Sequence, residues 1–263
     1  MSFKLVIIFI VSLYTAIFGK SVRIIGGKDA NTKDFPYSVS LRAATTKYHF
    51  CGGSIISRLH ILTAAHCLTK YDLKDIQIYT GIVKDVESPE NIFSIISYKS
   101  DSRFTEKFVK ESMLQHDIAV ATLDKCIEFN EYHNKVKLPT SNIVTNELVL
   151  LNGWGTTTVN SRKYSRTLQK AIFRIINKDQ CEKMFEFRIH DEQLCAFAGF
   201  GKGACLGDSG SGLIYKEEIV GVASFVIPCA TGVPDIYTRV YSYLDFITSI
   251  IDDKNLSFKC SNT

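Results

Sequence analysis

Apolar residues recur with a period of two in short runs separated by turns, as in Tyr37, Val39 and Leu41, in Ile76 and Ile78, and in Ile172, Phe173 and Ile175. Such alternation places every second side chain on one face of a strand, so this chain must pair strands and cover their apolar faces. Leu213 to Phe225 shows the pattern most clearly. Lys216, Glu217 and Glu218 interrupt two apolar runs there, as a hairpin turn does. Helical spacing is clear only near the end, where Tyr243, Leu244, Ile247, Ile250 and Ile251 share one face. A shorter helix is expected to start at Asn177, which can cap it with Gln180 three residues on. No repeat or low-complexity tract divides the chain, and many short strands over this length predict barrels or a sandwich. The turn at Leu138, Pro139 and Thr140 marks the expected internal boundary, between residues 24–138 and 139–263. At 46% hydrophobic and 22% charged, the 263 residues exclude disordered, collagenous and coiled-coil classes.

The N-terminus has a different character. Lys4 precedes an apolar stretch from Leu5 to Phe18, and small Gly19 closes it before Lys20. That order of regions reads as a signal peptide over residues 1–19, too short for a spanning helix, and predicts a secreted, extracellular protein with no membrane association. Residues 1–23 also hold three bases and no acid. Beyond them 28 basic residues face 27 acidic ones, without a Lys/Arg run, so nothing suggests nucleic-acid binding.

Three local patterns carry the chemistry: Thr63-Ala64-Ala65-His66-Cys67, His116-Asp117-Ile118-Ala119 and Gly207-Asp208-Ser209-Gly210. Each alone has an ordinary structural explanation. Their order His, Asp, Ser, preceded by a leader and by Arg23-Ile24-Ile25-Gly26-Gly27, resembles the chymotrypsin-like serine proteases. Cys51-Gly52-Gly53-Ser54, Asn152-Gly153-Trp154-Gly155, Ser224-Phe225 and the stretch from Pro234 to Val240 extend that resemblance over residues 24 to about 252. It implies an all-β fold of two perpendicular six-stranded antiparallel barrels with a C-terminal helix, and the activity of a serine endopeptidase on protein or peptide substrates.

A serine hydroxyl needs a base to become a nucleophile at neutral pH. An imidazole, which ordinarily titrates at about 6.5, can take that proton and return it to the leaving amine. By the resemblance Ser209 is the nucleophile, His66 the base and Asp117 the group that orients the imidazole, with Ser224 adding a hydrogen bond to Asp117. The backbone N–H groups of Gly207 and Ser209 form the oxyanion hole. Activation follows too: a trypsin-like protease cuts after Arg23, removing residues 20–23 as a propeptide, and the new α-amino group of Ile24 pairs with Asp208.

The resemblance also implies disulfides Cys51–Cys67, Cys181–Cys195 and Cys205–Cys229. Cys126 and Cys260 remain, to pair with each other, to meet a partner chain or to stay free. Substrate choice depends on Gly203, six residues before Ser209, and on Ser224, Phe225, Val226 and Asp235. Gly203 removes the acidic base of a trypsin-like pocket and Val226 narrows its neck, favouring an apolar, Leu-sized residue before the cleaved bond. Asp235 pulls the other way, toward mixed specificity. Ser209-Gly210-Ser211-Gly212 departs from the family's usual Ser-Gly-Gly-Pro. No metal-ligand spacing occurs and no cofactor is expected. Asn255-Leu256-Ser257 is a glycosylation sequon. A monomer, open to protein protease inhibitors, is the expected form; the competing reading is a protease-like binding protein without catalysis.

Overall fold

The computed structural model describes residues 24–82, 91–106, 112–158, 161, 163–185, 187–226, 229–253 and 260. The expected leader 1–19, the propeptide 20–23 with Arg23, and the sequon residue Asn255 lie outside the described residues.

Six strands close the first barrel: β2 (Ser38–Ala43), β3 (His49–Ile55), β4 (His60–Thr63), β5 (Ile76–Thr80), β6 (Ile92–Ser100) and β7 (Ala119–Leu123), in the order β2-β3-β4-β7-β6-β5. Six more make the second: β8 (Leu148–Gly153), β9 (Gln169–Ile176), β10 (Gln193–Phe197), β11 (Gly212–Tyr215), β12 (Glu218–Phe225) and β13 (Asp235–Arg239). They run β8-β9-β10-β13-β12-β11, and β11 pairs back to β8. A two-residue strand, β1 (Lys28–Asp29), pairs with the start of β9. All these pairings are antiparallel. Closure leaves no barrel strand with an unpaired edge, and the inward side chains fill each interior. Val39, Leu41, Ile61, Ile78 and Val120 are fully buried in the first barrel; Leu151, Leu213 and Tyr237 are fully buried in the second.

Local sequence explains several details. On β9 the buried residues are Gln169, Ala171, Phe173 and Ile175, and Ile172 faces outward at 61% exposure, so the run of adjacent isoleucine and phenylalanine resolves with Phe173 inward. Lys216 and Glu217 turn the β11–β12 hairpin with φ of 46° and 69° and no glycine, the two positive values that a tight two-residue turn needs. Helix α1 (Lys178–Phe185) starts as expected, with the Gln180 N–H donating to Asn177 Oδ1 at 2.8 Å.

The closing helix α2 (Leu244–Ile251) buries Ile247 and Ile250 in the cluster that holds the core of the first barrel. A Cys126–Cys260 disulfide ties the tail to the segment after β7, and Arg58 Nη1 donates to the Cys260 carbonyl at 2.7 Å. The other three bridges join the expected partners. None of the eight cysteines is free. Between the barrels, the Gly52 N–H of β3 donates to the Ser209 carbonyl at 2.7 Å, and the Asn152 amide of β8 donates to the Ser38 hydroxyl of β2.

Candidate active site

His66 sits in a 3-10 turn (Ala65–Cys67) that follows β4 and is anchored by the Cys51–Cys67 bridge. Asp117 lies two residues before β7, the strand that pairs with β4, so barrel closure alone brings the two segments together. Asp117 is fully buried and accepts at every face: Oδ1 from the His66 backbone N–H at 2.9 Å, and Oδ2 from His66 Nδ1 at 2.6 Å and from the Ser224 hydroxyl at 2.7 Å. Thr238 fixes its backbone by donating to the Asp117 carbonyl at 2.8 Å. A carboxylate can only accept, so Nδ1 of His66 must carry its proton; the neutral ring then offers Nε2 as a free base.

Ser209 lies in the second of two successive tight turns, Cys205 to Asp208 and Asp208 to Ser211, closed by the Asp208 N–H donating to the Cys205 carbonyl and the Ser211 N–H to the Asp208 carbonyl, both at 3.0 Å. Gly207 takes φ of +93°, and a Cβ there would lie 2.6 Å from the Tyr164 ring. Gly210, at +81°, stands against the Gly52 carbonyl and the Thr63 hydroxyl. Only glycine meets both demands. Ser209, His66, Gly207 and Ser224 all line one open cavity of about 540 Å³. Ser211, the unusual residue, is buried with its hydroxyl in the space that Gly52 and Gly153 leave by lacking a Cβ.

Residues 24–247 match the family model described as Trypsin. The chain belongs to the trypsin family. It is a serine endopeptidase, a hydrolase. Chymotrypsin-2 of Vespa crabro is 37% identical over 85% of this chain and 98% of that protein. Trypsin I-P1 of Gallus gallus is 32% identical over 86% of this chain and 88% of that protein.

In this trypsin-family chain the residues expected at the activation site are buried together with the second barrel. Ile24 is fully buried among that barrel's apolar side chains, and the Gly203 N–H donates to the Ile25 carbonyl at 3.1 Å. Asp208 is fully buried as well. Its Oδ1 accepts from the Gly155 N–H and its Oδ2 from the Cys205 N–H, each at 2.9 Å, yet desolvation outweighs both donors and pushes the carboxyl up to about 6. Side chains at Gly153 or Gly155 would collide with it.

The residues expected to set specificity divide into two sets. Phe225 and Val226 line the cavity, with the Cys205–Cys229 bridge beside them. Gly203 and Asp235 are buried and are not among its lining residues. A Cβ on Gly203 would sit 3.4 Å from Asp235 Oδ2, which accepts from the Ala204 N–H at 2.8 Å. Burial holds the Asp235 carboxyl well above its usual range, with the nearby Asp208 charge adding to the effect. Cys51, His66 and Cys67 bring potential metal-ligand atoms within 4.8 Å, but the two sulfurs are bonded to each other and are not thiolates.

Sequence patterns did not expose His49. Its Nε2 donates to the Gly207 carbonyl at 2.9 Å, so its Nδ1 must accept the Ser40 hydroxyl proton at 2.8 Å; Arg42 Nε donates in turn to the Ser40 oxygen at 3.1 Å. Burial pushes the His49 ring down to about 4, which keeps it neutral near pH 7 and fixes this tautomer. The turn that carries Gly207 is thereby held through the Gly207 carbonyl from the first barrel.

Proposed function

We propose that this endopeptidase works through Ser209, His66 and Asp117, is secreted as a monomeric zymogen and cleaves after apolar, Leu-sized residues. The observation that carries the reading is the double clamp on His66: Asp117 holds both its backbone N–H and its Nδ1, and His66 lines the same cavity as Ser209. His66 takes the Ser209 proton as the oxygen attacks a peptide carbonyl. Gly207 and Ser209 N–H groups receive the developing oxyanion. His66 then protonates the leaving amine, and water repeats the sequence to release the acyl half.

Zymogen control is supported by the burial of Ile24 and Asp208: cutting after Arg23 would create an α-ammonium on a buried residue, and among the described residues the hydrogen-bond donors to the Asp208 carboxylate are the neutral backbone N–H groups of Gly155 and Cys205. A basic residue at position 23 calls for a trypsin-like activator. Apolar preference is supported by Val226 at the cavity wall and by an Asp235 carboxyl that is not among the cavity's lining residues and that burial favours in its neutral form. The test is to express the chain, cut it with trypsin and profile cleavage on a mixed peptide pool. Activity should rise on cutting, be abolished in Ser209→Ala, and fall mainly after Leu-sized residues. Full activity in an uncut Arg23→Gln protein would refute the zymogen, and predominant cleavage after Lys or Arg the pocket assignment.

A further inference from the structure

A separate cavity of about 350 Å³ is lined by β9, β10 and the start of α1, and it shares no lining residue with the one that holds His66 and Ser209. Small-molecule pockets begin at about 300 Å³. Ile143, Ile175, Ile176, Ile189 and Leu194 give it an apolar wall, and Arg239, Lys178 and Asp191 are the charged side chains that share the lining. Lys178 and Asp191 offset each other at 2.7 Å. Arg239 has no such partner: among the described residues its three acceptors are all neutral, the Asp191 carbonyl from Nε at 2.7 Å, Asn142 Oδ1 from Nη1 at 2.8 Å and the Gln193 carbonyl from Nη2 at 3.0 Å. The Glu192 carboxylate beside it accepts instead from the Gln115 amide at 3.0 Å. Burial pushes the Arg239 guanidinium down from its usual value, yet a guanidinium keeps its charge.

The site therefore combines a partly desolvated, uncompensated cation with an apolar wall. A carboxylate brings two acceptor oxygens, and each Nη of Arg239 keeps one N–H that no described protein atom accepts. A neutral polar ligand would leave the charge unmet, and a doubly charged anion would have to bury its second charge against isoleucines. We infer that this cavity binds a free carboxylate carried beside an apolar group of about leucine size. A peptide C-terminus ending in such a residue has this chemistry, and so does a short fatty acid. Cleavage after Leu-sized residues would release the former, but binding here does not require that activity.

Titrating the protein cut after Arg23 with N-acetyl-leucine, followed by the broadening of the ligand's NMR signals, measures the affinity. N-acetyl-leucinamide lacks the charge and should bind at least about tenfold more weakly. N-acetylglycine lacks the apolar group and should also lose about tenfold. Hexanoate separates the two sources: weaker binding than N-acetyl-leucine assigns the site to a peptide end, equal or tighter binding to a fatty acid. Arg239→Gln should cost about tenfold in affinity. Thr145→Trp, at an exposed lining position, should obstruct the cavity and cost severalfold while leaving the urea midpoint unchanged. Sulfonylating Ser209 with phenylmethylsulfonyl fluoride fills the catalytic cleft and should leave the affinity as it was. Absence of saturable binding, equal affinity for the acid and its amide, loss of binding on sulfonylation, or an affinity unchanged by Arg239→Gln overturns the inference; should Arg239→Gln not fold, an affinity unchanged by Thr145→Trp does so. Failure of Ser209 to react counts instead against the endopeptidase reading, and the two variants still decide where the carboxylate sits.

Discussion

Asp208 links proton binding to the proposed activation. Its carboxyl is fully buried, and two backbone N–H donors at 2.9 Å only partly offset desolvation, so it titrates near 6 instead of 3.8. That difference is worth about 3 kcal/mol. Because the folded-state value is raised, the native chain holds the proton more tightly than the unfolded one. The resulting stabilisation is complete below about pH 4 and is lost as pH rises through 6. An uncut chain should then carry a buried negative charge at neutral pH, whereas under the proposed activation the Ile24 ammonium of the cut chain should offset it. Urea unfolding of the uncut Arg23→Gln protein from pH 4 to 7.5, in a Ser209→Ala background that prevents self-digestion, measures this loss. Asp208→Asn removes the titrating group, together with its charge effect on Asp235, and serves as the reference. Relative to that reference, the uncut protein should lose about 2 kcal/mol between pH 4 and 7.5, and the Ile24-started protein much less. Identical pH slopes with and without Asp208 would refute the reasoning.

Three further outcomes are expected. Asp117→Asn should lower kcat by about 10⁴-fold, because an amide can donate to Nδ1 and favour the wrong tautomer; steady-state kinetics on a peptide substrate checks it. Ser224→Ala removes one of three donors to the Asp117 carboxylate, about 1 kcal/mol, and should cost about fivefold in kcat with little change in KM. Replacing Cys126 and Cys260 together by Ser opens a link between residues 134 apart, which chain-entropy arguments value at up to about 5 kcal/mol. Urea midpoints should fall accordingly, with near-normal ester hydrolysis by the folded fraction.

Much of this architecture was readable from local patterns. The His66, Asp117 and Ser209 segments carry their own flanking residues, and the Asn177 cap and the final helical face follow rules that act within a few positions. Features that depend on distant backbone were not readable. His49 acts on a carbonyl 158 residues away, and nothing near it in sequence distinguishes it from a strand residue. Ser211 looks like a departure from pattern until Gly52 and Gly153 are seen to leave room for its hydroxyl. Adjacent Ile172 and Phe173 satisfy the apolar period on either face, and the barrel interior decides between them. Whether the last two cysteines paired was equally a matter of where the tail lands.

That tail bridge has a practical corollary. Since Cys126 and Cys260 enclose the whole second barrel in one covalent ring, a nick in any of its connecting loops leaves no fragment able to diffuse away. A chain nicked once in such a loop would keep running as one band on a non-reducing gel and fall into pieces only once thiol is added.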